Sequence, residues 1–252
     1  MTRRLFIVTG ASRGMGAAIA GQLLARADCT LLGISRRANE TLAAKAAVGA
    51  VCEQWTMDLA DPVAVASRLQ AWLEGHDGRE FSAARLINNA GVLTRIGALE
   101  HCTSEELSTA IRAGLEAPLL LTAAFLRATA NWPSDRRVLN ISSGLGRRAM
   151  AGQATYCAAK AGMDHLSRAV ALDQAGLARG AKIVSLAPGV IDTDMQAQLR
   201  SADGEGFPDQ ANFVRLKESG QLTSSHDAAA RVIAYLERAD FGASPVADVR
   251  DA

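Results

Sequence analysis

Leu5–Gly16 reads LFIVTGASRGMG, a short unbroken apolar run that ends on a turn holding three glycines, Gly10, Gly14 and Gly16. A run without polar alternation is what a strand covered on both faces looks like. The residues that follow, Met15–Ala27, carry apolar side chains at helical spacing, so strand, glycine turn and helix arrive in that order. Glycine is needed where the chain must turn sharply and bring bare backbone to a ligand, and the N–H groups that open the next helix then face an anion. Alone, such a turn serves packing as often as phosphate binding.

The same rhythm continues outward. Short apolar runs at Thr30–Ser35, Ala50–Trp55, Arg85–Asn88, Arg137–Ser142 and Lys182–Leu186 predict further strands. Helical patterns fill Gly14–Ala27, Pro62–Glu74, Ser104–Ala130, Ala154–Ala178 and Ser225–Ala239. Asp61 before Pro62 supplies a side-chain cap and then a preset φ, and Ser104 before Glu105 and Glu106 supplies a hydroxyl and early acids. The alternation predicts an α/β fold with a doubly wound parallel sheet, Rossmann-like, in a single domain over 1–252. One stretch breaks it: from Asp192 to Thr223 the chain is long, polar and punctuated by Gly204, Gly206 and Pro208. Its Met195, Leu199, Phe207 and Phe213 suit a helical substrate lid over about 192–223.

Composition removes several classes of function. The 252 residues carry 27 Lys+Arg against 26 Asp+Glu, a net charge of +1, which gives no long-range field for nucleic acid or an acidic membrane. The longest apolar runs, at Leu119–Leu121 and Ala123–Leu126, fall short of the ~20 residues of a membrane span, and Leu5–Val8 is too short for a signal peptide. Cys29, Cys52, Cys102 and Cys157 are scattered, and His76, His101, His165 and His226 share no ligand spacing, so no disulfide framework and no metal site is expected. The expected location is a reducing cytoplasm.

The second strand narrows what the glycine turn holds. An NAD-preferring domain places an acid about 20 residues after the glycines for the ribose 2′-OH. This chain has ISRR instead, Ser35, Arg36 and Arg37, and a guanidinium suits a 2′-phosphate that an acid would repel. Arg36 is the first candidate, Arg13 in the turn a second, and NADPH the expected cofactor. Gly10, Ser12, Arg13, Gly14, Met15 and Gly16 would line its phosphates, and Asp58, after the third strand, could accept from the adenine amino group. The bland reading of Arg36 is a solvated loop, and that is the default for Arg37.

Tyr156 and Lys160 stand four apart in YCAAK, so both project from one helix face, separated by about 40°. A phenol with pKa near ~10 becomes a usable acid–base group when an ammonium within ~4–6 Å lowers it by about 1–3 units. Tyr156 could then give a proton to a carbonyl oxygen that receives hydride. Ser143, at the end of VLNISSG, could hold the same oxygen, with Ser142 as its rival. Cys157 would point about 100° away from Tyr156. Arg147 and Arg148 are placed to steer an acidic substrate, with a solvated loop as the default reading.

TGASRGMG at 9–16, NNAG at 88–91, ISSG with Ser143, YCAAK at 156–160 and PGVIDT at 188–193 together resemble the short-chain dehydrogenase/reductase family, in order and spacing over essentially the whole chain. The resemblance implies an enzyme in which Tyr156 is the acid/base, Ser143 the substrate-oxygen partner, and Lys160 the group that lowers the phenol pKa and binds the nicotinamide ribose. Asn89, Ala90 and Gly91 would line the adenosine ribose, and Pro188, Gly189, Ile191 and Thr193 would fix the nicotinamide carboxamide. One position departs: Gly114 stands where the family has an Asn whose bend is thought to hold a relay water. PGVIDTDMQAQLR and the closing PVADVRD are similar to the subgroup containing benzil and sepiapterin reductases, which implies reduction of a vicinal diketone to an α-hydroxy ketone, with pteridine-type or 3-oxoacyl-type reduction as alternatives. Leu93, Thr94, Leu145, Met150, Met195 and Leu199 are the pocket candidates, and Asp248 aligns with a substrate-anchoring carboxylate. By analogy the long helices Ser104–Ala130 and Ala154–Ala178 would pair copies into a homodimer or homotetramer. A non-catalytic NADPH-binding sensor or scaffold is the reading from another class.

Overall fold

A computed structural model describes residues 2–251. Seven parallel strands, β1 (Arg3–Thr9), β2 (Cys29–Ser35), β3 (Val51–Thr56), β4 (Phe81–Asn88), β5 (Asp135–Ile141), β6 (Lys182–Ala187) and β7 (Val246–Asp248), form one sheet in the order β3-β2-β1-β4-β5-β6-β7. The chain winds outward from β1 first one way and then the other, so the sheet switches direction between β1 and β4.

Alternate residues of β1 face opposite sides, and each side is covered. Phe6 and Val8 join α1 (Gly14–Leu24) and α8 (Ser225–Glu237) in one core; Leu5 and Ile7 join α2 (Pro62–Glu74) and α4 (Ala117–Ala128) in the other, which Val170 of α5 (Ala154–Ala175) flanks. This double coverage is why the central strands read as continuous apolar runs. The edge strand β3 is different: its side chains are partly buried at Cys52 and Gln54, buried at Trp55 and otherwise exposed.

The predicted helix starting at Ser104 is corrected in two ways. Its cap is Thr103, whose Oγ1 accepts from Glu106 N at 3.1 Å while the Glu106 carboxylate accepts from Thr103 N at 2.8 Å. Its middle is not regular: α3 (Ser104–Ile111) passes through a π-helical turn at Arg112–Glu116 before α4. The composite helix Ser104–Ala128 is also long and apolar enough to cross a membrane by length and composition, against the expectation from its separate runs, and half of its most apolar window is buried inside the fold.

Residues 192–223 carry two short helices rather than an open loop. After β6 the chain forms α6 (Asp194–Arg200) and α7 (Gln210–Glu218), and Ile191 pairs with Thr223 so that the excursion begins and ends at one place. Met150, Leu199, Phe207 and Phe213 form a small third core beneath it.

Candidate active site

The carboxyl ends of the strands, at the β1/β4 switch, open into a cleft of about 900 Å³. Its floor is the glycine turn. Gly10 has φ +71°, and a Cβ there would lie 3.0 Å from Asn89 Nδ2 and 3.1 Å from Ala90 Cα; a Cβ on Gly16 would lie 2.1 Å from the Gly10 carbonyl oxygen. Thr9 closes the junction: its Oγ1 accepts from Asn89 N (3.0 Å) and Ala90 N (3.1 Å), and its carbonyl accepts from Asn89 Nδ2 (2.9 Å). Helix α1 has no side-chain cap and no acid in its first turn. Its leading N–H groups therefore keep their donor capacity for an anion in the cleft, and the turn fits a dinucleotide pyrophosphate.

All the residues assigned to the cofactor line this cleft, from Gly10, Ser12 and Met15 through Ser35, Arg36 and Asp58 to Asn89, Gly91, Pro188, Gly189, Ile191 and Thr193. The two arginines differ. Arg36 is exposed at the end of β2 and makes no ion pair or side-chain hydrogen bond among the described residues, while Ser35 Oγ beneath it donates to the Arg37 carbonyl at 2.8 Å. Arg13 lines the cleft as well, and its Nη1 donates to Asp194 Oδ2 at 2.7 Å in an exposed ion pair with α6. Asp58 Oδ1 accepts from Ala60 N at 3.0 Å, and Asp61 caps α2 through Ala64 N.

The chemistry-bearing wall is the start of α5 against the end of β5. Tyr156 and Lys160 do share a helix face, with Lys160 Nζ 5.5 Å from the phenol ring centre. Both serines border the cleft, but their hydroxyls differ: Ser142 is buried and donates to Asp164 Oδ1 at 2.6 Å, whereas Ser143 is half-buried and its Oγ accepts from Leu145 N at 3.2 Å.

The expected lowering of the phenol by Lys160 is not what this arrangement gives. Burial pushes Tyr156 up to about 12, opposed mainly by a hydrogen bond with the Ser143 hydroxyl. Lys160 is itself buried, its Nζ donates to the Ile141 carbonyl at 2.7 Å, and desolvation holds it down at about 8 against the upward pull of Asp164. At neutral pH the phenol therefore keeps its proton, the form a general acid needs.

At the substrate end Leu93, Leu145, Met150, Met195 and Leu199 line the cleft, and Thr94 does not. Asp248 also lines it, but it is buried at the end of β7 and gripped by Arg250 through two bonds of 2.8 and 2.6 Å. Sequence reasoning missed Gln153 and Gln196 on this wall, which Phe213 of the expected lid also lines. Phe213 was visible as an apolar residue in the cover; the two glutamines carry no motif. Gly114 sits buried in the π turn, where a Cβ would come 3.2 Å from Ala159 Cβ, so an Asn would press on α5 one residue before Lys160. The described residues contain no group of three or more potential metal ligands.

The family profile "short chain dehydrogenase" matches residues 4–204. The chain belongs to the short-chain dehydrogenase/reductase family. It is 37% identical to a benzil reductase ((S)-benzoin forming) from Bacillus cereus over 239 residues, 94% of this chain and 96% of the relative. Among solved structures it is similar to a putative 2-deoxy-D-gluconate 3-dehydrogenase from Agrobacterium tumefaciens with bound NADP, at TM-score 0.77 and 26% identity over 99% of this chain and 95% of the other. It is also similar in fold to a 3-oxoacyl-[acyl-carrier protein] reductase from Brucella melitensis in complex with NAD, at TM-score 0.81 and 24% identity over 99% and 96%. The short-chain dehydrogenase/reductase chain is thus an oxidoreductase of a family that uses a nicotinamide cofactor.

Proposed function

We propose that this protein is an NADPH-dependent carbonyl reductase that converts a vicinal diketone to an α-hydroxy ketone. The observation that carries the reading is the convergence of Ser143, Tyr156 and Lys160 on one wall of the cleft that the glycine turn floors. The 37% identity to a benzil reductase supports the diketone. So do the apolar walls at Leu93, Leu145, Met150 and Leu199, which suit aryl groups better than hydroxyls.

Arg36 would hold the 2′-phosphate, Asn89 and Ala90 the adenosine ribose, Lys160 the nicotinamide ribose, and the turn from Pro188 to Thr193 the carboxamide. Bound NADPH supplies a hydride, which forms the new C–H bond at the carbonyl carbon. The Ser143 hydroxyl donates to the carbonyl oxygen and fixes it beside Tyr156. As the C=O bond takes up hydride, its electron pair moves to oxygen and takes the Tyr156 proton, giving the alcohol. Lys160, within 5.5 Å of the ring, then faces the phenolate left behind and stabilises it. The expected assembly is a homo-oligomer in a reducing cytoplasm: exposed Leu119 and Leu172 lie on α4 and α5, and all four cysteines are free.

The reading is tested by following NADPH absorbance with a panel of diketones and quinones. Tyr156→Phe should slow consumption by at least about 100-fold with NADPH affinity unchanged. Consumption no faster in the wild type than in Tyr156→Phe would leave only a nucleotide-binding sensor or scaffold.

A further inference from the structure

The turn that carries Ser143 is fastened down by a buried carboxylate with no part in the proposed reaction. Asp164, one turn beyond Lys160 on α5, is 1% exposed. Its Oδ1 accepts from Ser142 Oγ and from Ser185 Oγ, each at 2.6 Å, which ties the ends of β5 and β6 to the helix. Its Oδ2 makes no hydrogen bond and faces Arg147 Nε at 3.3 Å. A buried carboxylate oxygen without a donor is costly, so this is a strong seat for a guanidinium.

Arg147 is joined to Ser143 by the short helical turn Gly144–Gly146. Its other nitrogens reach the last strand: Nη2 donates to the Ala247 carbonyl at 2.8 Å, and Nη1 lies 3.9 Å from Asp248 Oδ2. Gly146 lets the turn lie flat on α5, since a Cβ there would meet Asp164 Oδ2 at 2.9 Å and the Lys160 carbonyl oxygen at 3.0 Å. Arg147 does not line the cleft, whereas its neighbour Arg148 does. Its guanidinium therefore clamps the far end of a turn whose near end presents the Ser143 hydroxyl.

We propose that Arg147, seated on Asp164, is a positioning residue that sets where the Ser143 hydroxyl stands. The proposal rests on the reading that Ser143 holds the substrate oxygen. It differs from steering of an acidic substrate, because the Arg147 guanidinium faces Asp164 and the end of β7 rather than the cleft.

Single-turnover NADPH oxidation with benzil is measured for Arg147→Gln, Arg147→Lys, Ser143→Ala and the Arg147→Gln/Ser143→Ala double variant, with NADPH affinity taken from fluorescence titration. Arg147→Gln should slow the chemical step about tenfold or more, because a small misplacement of an orienting group is costly. NADPH affinity should stay within about twofold, and Arg147→Lys should recover part of the rate. In the Ser143→Ala background the same Arg147→Gln change should cost under about twofold, since coupled residues are not additive. Equal losses in both backgrounds, or no loss in Arg147→Gln, overturn the positioning role alone. Should Arg147→Gln fail to fold, Arg147→Lys is carried through the same two backgrounds with the same criterion. A Ser143→Ala variant that turns over like the wild type overturns the assignment of Ser143, and this proposal with it.

Discussion

Ser142 and Ser143 are neighbours at the edge of one cleft, but the Ser142 hydroxyl is spent on the buried Asp164 and that of Ser143 is not, a difference set by the tertiary packing of α5 on β5. Charge divides the arginines in the same way. Arg13 is paired with Asp194 and Arg36 is not, so the cofactor's extra phosphate should depend on Arg36. Arg36→Ala is expected to raise the KM for NADPH about tenfold or more and leave that for NADH within about twofold, since a charged hydrogen bond to phosphate is worth ~1.5–3 kcal/mol. Equal effects on both cofactors would remove the assignment. Lys160 predicts a stability effect. Its folded-state pKa of about 8 lies below the ordinary 10.5, so the folded protein binds fewer protons than the unfolded chain between those values. Stability therefore rises with pH through that window, and burying the charge is a net cost below it. Lys160→Met should abolish turnover yet gain about 1–2 kcal/mol at pH ~7 in urea unfolding, after the lost bond to Ile141 is set against the relieved desolvation. The gain should shrink as pH is raised towards ~10, and a gain that grows with pH would contradict the burial cost.

At the scale of elements, the sequence was clearest where a helix start or a doubly covered strand has a local cause. Helix α2 begins at Pro62 after the Asp61 cap as its residues suggest, and the glycine turn sits where LFIVTGASRGMG puts it. Three features were not legible. Strand β7 has three residues and ends on Asp248, whose burial depends on Arg250. The first half of β4, Phe81–Ala84, is interrupted by an exposed Ser82 that hides the run. The π turn at Arg112–Glu116 leaves the apolar spacing of the long helix nearly intact, so no periodicity announces it. The misplaced cap gives a direct test. Thr103→Ala removes one side of the capping box and should destabilise the fold by about 1 kcal/mol, or ~2–4 °C in Tm, whereas Ser104→Ala should change little. Thermal melting that ranks the two variants in the reverse order would return the cap to Ser104.

The whole molecule has two cores on the faces of the sheet and a separate small one under residues 192–223. The glycine turn rests on the first of these, and the end of the cleft lined by Leu145, Met150 and Leu199 rests on the third. Its centre is Phe207, fully buried and stacked on Phe213 with ring centres 5.6 Å apart. The ion pair that ties this segment to the glycine turn, Arg13–Asp194, is exposed and worth ~0–1 kcal/mol. Seating of the cover is thus expected to depend on Phe207. Phe207→Ala should cost about 3–5 kcal/mol locally, enough to release α6 and α7 while the sheet keeps its own cores. Hydrogen exchange would then quicken across 192–223 and stay slow in β1, β4 and β5. The same variant should raise the diketone KM strongly, with a smaller change for NADPH, because Leu199 and Phe213 carry the segment's apolar side of the cleft and the glycine turn is not part of their cluster. Exchange that quickens in the strands and the cover together would mean that the third core is continuous in stability with the other two. The substrate end could then not open on its own.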